Sequence, residues 1–176
     1  MYVPHTLKLE LQGRGRLPVV EGQLGAATGA HDDVAYLRVT HRLGRTGGEL
    51  QRISTPGGSG VFTAICVWRA RAGVRIFVGD DAGTCSYGLA GGRLKVRWRG
   101  GSAGTSPVLA GGLLYVYDPN GGLDVRNPST GKLITRLPAD GGHWNSPIVT
   151  DGRIALPEGD ANEHRTTGVL DIYRPG

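Results

Sequence analysis

His143, Trp144 and Asn145 set an imidazole, an indole N–H and an amide side by side, and two short acidic turns add Asp118 with Asn120 and Glu158 with Asp160. Brought to one surface, donors, acceptors and carboxylates of this kind could bind a polar ligand. They do not compose a catalytic set. No Ser-His-Asp arrangement and no His-rich metal spacing stands out, and His5, His31, His41 and His164 are isolated. Asp118-Pro119-Asn120-Gly121-Gly122-Leu123-Asp124 has the outline of a calcium loop, but it lacks the fifth-position ligand, the properly placed glycine and the distant bidentate glutamate. It reads as a turn. No catalytic residue, metal ligand or resident cofactor is expected.

What would bring those groups together is a repeat. Ser106-Pro107-Val108-Leu109-Ala110-Gly111-Gly112 and Ser146-Pro147-Ile148-Val149-Thr150-Asp151-Gly152 are one segment written twice, about forty residues apart. Each is followed at once by an apolar run, at 113–116 and 153–156. Thr63-Ala64-Ile65-Cys66-Val67-Trp68 takes the place of the Ser-Pro strand one period earlier, and Gly73-Val74-Arg75-Ile76-Phe77-Val78 matches the two later apolar runs. Turns rich in Asp, Asn and Gly follow each second strand, which is hairpin chemistry. Third strands are expected over 84–89, 123–127 and 168–174, and fourth strands over 94–99 and 132–137.

A period near forty built from short strands and glycine turns predicts an all-β fold, a partial or open β-propeller of about three four-stranded antiparallel blades. The blades fall at about residues 60–100, 101–138 and 139–176, the last without its outer strand. Residues 46–60 read as turns leading into the first blade. The segment 1–45 reads as irregular or poorly ordered, with a start open to mis-assignment, although Leu7, Leu9 and Leu11 alternate as in a strand. In a propeller, the loops from an outer strand to the next inner strand share a face with the second-to-third hairpins. His143, Trp144 and Asn145 would then stand on one rim with Asp118, Asn120, Glu158 and Asp160. The same positions also have structural uses: Trp144 can plug the gap between blades, and Asn145 can cap a strand start.

Composition supports this architecture and narrows the partners. Gly accounts for 31 of 176 residues and Pro for 10, with no Gly-X-Y period and with Val, Ile, Leu and Tyr runs between the glycines, so a turn-dense β fold is favoured over collagen or disorder. The net charge of +5 comes from basic residues that are mostly Arg and scattered. One cluster, Arg93-Leu94-Lys95-Val96-Arg97-Trp98-Arg99, alternates; strand geometry sends the basic residues to one face and Leu94, Val96 and Trp98 to the other. Such a strand belongs at a sheet's outer edge, where charge discourages edge-to-edge association, and no nucleic-acid partner is expected. No apolar run approaches the ~20 residues of a membrane span. The N-terminus lacks the basic start and apolar stretch of a secretory signal, which points to the cytoplasm as written, or to a secreted or periplasmic protein if the true start lies elsewhere. Cys66 and Cys85 fall on first and third strands, about 9–10 Å apart. That is too far to bridge, so both read as small apolar side chains.

Leu123-Asp124-Val125-Arg126-Asn127-Pro128-Ser129-Thr130-Gly131-Lys132-Leu133 resembles the repeat of the PQQ-like (quinoprotein) β-propellers, whose blades carry Asp-Pro-x-Thr-Gly-Lys-Leu and close on a tryptophan. The Ser-Pro-Val and Gly-Gly-Leu-Leu-Tyr-Val segments are similar to that family too, and the resemblance covers roughly residues 60–176. Thr135 stands at the tryptophan position after Thr130-Gly131-Lys132, and Trp98 of the preceding blade is offset by about two residues. The resemblance therefore implies at best partial tryptophan docking between blades. The blades counted are fewer than the about four or more that close a propeller. Either the chain is a fragment of a larger one, or residues 1–60 supply what is missing, or copies self-associate. The function expected is a non-catalytic module that binds a protein or polar small ligand at its loop face. The alternative is part of a PQQ-dependent quinoprotein dehydrogenase, and only there would PQQ and calcium be cofactors.

Overall fold

β-Branched and aromatic runs cut by glycine turns fold into four antiparallel sheets. The computed structural model describes residues 25–27, 36–40, 49–58, 60, 61, 63–143, 145–159 and 167–174. Among the described residues there is no helix, and so none long and apolar enough to cross a membrane. The first sheet is β1 (Gly25–Ala27), β2 (Tyr36–Thr40) and β3 (Glu49–Ser54) in that order. The second is β4 (Cys66–Ala70), β5 (Gly73–Asp80), β6 (Gly83–Ala90) and β7 (Arg93–Gly100). The third is β8 (Val108–Ala110), β9 (Leu113–Tyr117), β10 (Leu123–Arg126) and β11 (Leu133–Leu137), and the fourth is β12 (Ile148–Thr150), β13 (Arg153–Glu158) and β14 (Val169–Tyr173). Two-residue turns at Gly91-Gly92, Gly111-Gly112 and Asp151-Gly152 join neighbouring strands with both central residues at positive φ. This is type I′ geometry, which glycine reaches without strain and Asp tolerates.

The strands expected in the three repeats are present. The first sheet is an addition. β1 and β2 fall inside 1–45, where irregular chain was expected, and β3 lies where turns were expected. The Ser-Pro and Gly-x-Ile/Leu-Tyr marks that revealed the later sheets are absent from 1–45, and Gly47-Gly48 just before β3 stands without them, so these strands, among them Tyr-Leu-Arg-Val-Thr at 36–40, had no repeat to announce them. The alternating stretch at Leu7–Leu11 lies outside the described residues.

The sheets stack face to face. Between the first and second lie Ile76, Val78, Cys85, Tyr87 and Leu94, with Val61 buried and Ile53 packed against them. Between the second and third lie Phe77, Trp98, Leu114 and Val116, and between the third and fourth Tyr115, Tyr117, Leu123, Val125 and Leu156. The inner strands β4, β8 and β12 neighbour one another in succession. The Ser106 hydroxyl, just before β8, accepts the Ala64 N–H from just before β4 at 2.9 Å.

One detail corrects the expected faces of β7. Ser86 pairs with Trp98 and Tyr87 with Val96, leaving Arg97 as an extra residue in a bulge. A bulge re-aims the side chains beyond it. Leu94 therefore faces the first sheet while Trp98 faces the third, although plain alternation would put them together. Each of the three outer strands bulges at this register: Leu50 is skipped between Gln51 and Glu49, and Ile134 between Thr135 and Leu133.

The bulge also brings Trp98 to where it docks on the third sheet. The Trp98 indole N–H donates to the Pro128 carbonyl of the third sheet at 2.9 Å, and its ring covers Gly131, where a Cβ would come within 2.6 Å of it. The turn that receives it is held by Asn127, whose Oδ1 accepts the Ser129 and Thr130 N–H groups. Arg126 holds it from the other side, donating to the Gly131 carbonyl while paired with buried Asp124 at 2.7 Å. Docking at this boundary is complete. Gln51 stands at the same register of β3 and reaches the next sheet likewise, exchanging two hydrogen bonds with the Leu94 backbone (2.9 and 2.8 Å).

Candidate functional site: a cleft between the third and fourth sheets

The hairpins joining second to third strands start at Asp80, Asp118 and Glu158, and the loops between sheets tie these hairpins together. Gly57 N–H, from the loop after β3, donates to Asp80 Oδ2 at 2.8 Å. In the loop after β7, Gly104 N–H reaches the Asp80 carbonyl and Thr105 N–H the Tyr117 carbonyl. In the loop after β11, Gly142 N–H donates to the Pro119 carbonyl at 3.0 Å and His143 N–H to the Gly159 carbonyl at 3.3 Å. Loops and hairpins therefore share one rim of the stack, as expected.

The expected rim residues divide by what already occupies them. Asp118 is committed to its own sheet: Oδ1 accepts from the Asn120 backbone and amide, and Oδ2 pairs with Arg136 at 2.9 Å. Asn120, exposed on that turn, spends its amide on Asp118 and still lines the cleft. Asn145 donates its amide to the Gly159 carbonyl at 3.2 Å, so it ties a loop to a hairpin instead of capping a strand. His143 is half-buried beside the same hairpin rather than exposed. Trp144 and Asp160 lie outside the described residues.

Glu158 differs from the rest. It is only 8% exposed, and its Oε1 is buried with no hydrogen-bond partner among the described residues. It borders a cleft of about 800 Å³ walled by Leu137, Pro138 and Asp140 on one side and Val169, Asp171 and Tyr173 on the other. Burial pushes its carboxyl pKa up; the Asp140 backbone N–H opposes this, while the hydrogen bond that the protonated carboxyl donates to Asp171 and the charges of Asp171 and Asp140 add to it. Two hydrogen-bonded carboxyls retain a proton more readily than either would alone. Tyr173 closes the outer wall, its hydroxyl 2.5 Å from the Pro138 carbonyl and 3.1 Å from Asp171 Oδ2. The Tyr117 hydroxyl donates to the Asp140 carbonyl at 2.6 Å, and burial, followed by the charges of Glu158, Asp118 and Asp140, pushes its pKa up to about 12.

Arg136 also lines the cleft, but its guanidinium is engaged by Asp118 and Asp124, each at 2.9 Å, and by the Gly121 carbonyl. The Asp118 hydrogen bond, with help from Asp124, holds the Arg136 proton more firmly than usual. Among the described residues, no basic side chain pairs with Asp140, Glu158 or Asp171. Among the same residues, no three His, Cys, Asp or Glu side chains converge to hold a metal ion.

Sequence reasoning missed Asp140, Asp171, Tyr173 and Arg136. A signal existed for Asp171: in Val169-Leu170-Asp171-Ile172-Tyr173 a carboxylate alternates onto the same face as Val169 and Tyr173. Arg136 requires the register, which sets it opposite Asp124.

No protein-family model matches the chain, and no curated protein matches it.

Proposed function

We propose that the four sheets are successive blades of a β-propeller of the PQQ-like kind, and that the chain is a non-catalytic scaffold binding a polar ligand or protein partner at its loop rim. The succession of neighbouring inner strands, the bulge repeated in each outer strand and the rim built from loops and hairpins support the propeller part. The binding part rests on one observation: a nearly buried carboxyl, with an oxygen unpartnered among the described residues, bordering a cleft. A buried polar atom without a partner costs stability, and such atoms in folded proteins call for an explanation.

A second partner is a second copy. In the third sheet, the row Val108-Tyr115-Val125 and the pair Tyr117-Leu123 are packed under the fourth sheet. The same row in the fourth sheet is Ile148-Ala155-Ile172, with the pair Pro157-Leu170. Ile148 is 65%, Leu170 61% and Ile172 55% exposed. That face has the register of faces covered by a further sheet, which another copy supplies.

The test of the scaffold reading is a nuclear magnetic resonance titration with a panel of anionic, neutral and cationic small molecules. Shifts confined to Asn120, Asp140, Glu158 and Asp171 are expected for at least one class. No shift at the rim with any class overturns it.

A further inference from the structure

We infer that this cleft takes an organic cation, a guanidinium or primary ammonium carried on an aliphatic stem. The inference rests on the binding role proposed above and names the chemistry of its ligand. Three carboxyls, Asp140, Glu158 and Asp171, border one cleft with no basic side chain paired to them among the described residues. Glu158 supplies the independent pointer to a ligand, since its buried Oε1 has no hydrogen-bond partner among the described residues. An ammonium or guanidinium offers several N–H donors and a positive charge, which match that oxygen and its neighbours.

Size and shape separate this cation from a metal ion. No three ligating side chains converge among the described residues, and the space of about 800 Å³ far exceeds an ion. Leu137, Pro138 and Val169 give the cleft apolar wall beside the carboxyls, suited to methylenes that carry a charged head. Arg136, the cation already present, is held by Asp118 and Asp124 and does not satisfy the other three.

The groups facing Glu158 set the pH dependence. They are Asp140 and His143 from the loop after β11, Asp171 and Tyr173 from β14, Tyr117 from β9, and the Asp118–Arg136 pair beyond. Burial and the neighbouring aspartates keep a proton on the Glu158 carboxyl, and an arriving cation displaces it. Affinity therefore rises with pH through the raised titration, and a proton is released on binding.

The test is calorimetric titration of the full chain with two probes, agmatine as a free cation and a glycine-flanked arginine peptide as a protein side chain. It is run at about pH 5 and about pH 7.5, in buffers of different ionisation enthalpy. Binding of either probe, stronger at the higher pH and weakened at least about tenfold in Glu158→Gln, is expected. The probe that binds more tightly identifies the source. Asp171→Asn and Asp140→Asn carry the test if Glu158→Gln fails to fold. Binding of neither probe at millimolar concentration, or equal binding by wild type and these variants, overturns the inference. If a neutral or anionic compound shifts the rim while both cations leave it unchanged, the cation inference falls and the scaffold reading stands.

Discussion

The two inner boundaries of the stack are built from the same repeat and end differently. Between the second and third sheets, Trp98 extends the apolar filling to the outer strand and bonds the next hairpin at Pro128. Between the third and fourth, the residue at that register is Thr135, exposed on β11, and the outer part of the boundary opens into the cleft with Glu158 and Asp171. One side chain per sheet thus helps decide whether a boundary is sealed or offers a site. The acidic position that opens the hairpin changes with it. Asp80 is satisfied by the Gly57, Ala82 and Gly83 N–H groups and Asp118 by Arg136 and Asn120, whereas the longer Glu158 reaches a place with too few donors.

The largest expected effect breaks the sealed boundary. Trp98→Ala removes the ring from Gly131 and should cost about 3–5 kcal/mol in denaturant unfolding, whereas Thr135→Ala at the same register should change stability by less than about 0.5 kcal/mol. Equal costs would erase the distinction. Gln51→Ala, which strips two bonds from the Leu94 backbone, should fall between them at about 1–3 kcal/mol. On the uncovered face, sedimentation of the wild type should show concentration-dependent association, and Leu170→Lys with Ile172→Lys should leave monomer only. A wild-type monomer at high concentration would count against a second copy as its cover.

Glu158→Gln probes the open boundary through pH. With a raised folded pKa, the native state holds a proton that the unfolded chain has released, so this group's contribution to stability falls as pH rises above the ordinary ~4.3 and levels off beyond the raised value. The Gln variant does not titrate there. It should gain on wild type across that window by about 1 kcal/mol and show no gain below it. The smallest effect is on thiols, whose pKa values burial raises: Cys85 should label only on unfolding, and half-buried Cys66 slowly.

Much of the sheet order was legible because glycine turns and the Ser-Pro segments mark it directly. The first sheet was not, since its one Gly-Gly pair, Gly47-Gly48, comes without a Ser-Pro segment, and neither was the Arg97 bulge, which depends on pairing with β6 rather than on the spacing of Leu94, Val96 and Trp98. Of the candidate site, Glu158 was found from its place in the hairpin. Its partners were hidden because Asp140 follows one sheet and Asp171 lies in the last strand of another, and only stacking brings them together.

The measurement closest to the central claim is the carboxyl carbon titration of Glu158, observed by nuclear magnetic resonance with and without agmatine. The account predicts a midpoint above the ordinary glutamate range that drops when the cation is added. A midpoint near ~4.3, unmoved by agmatine, would contradict it.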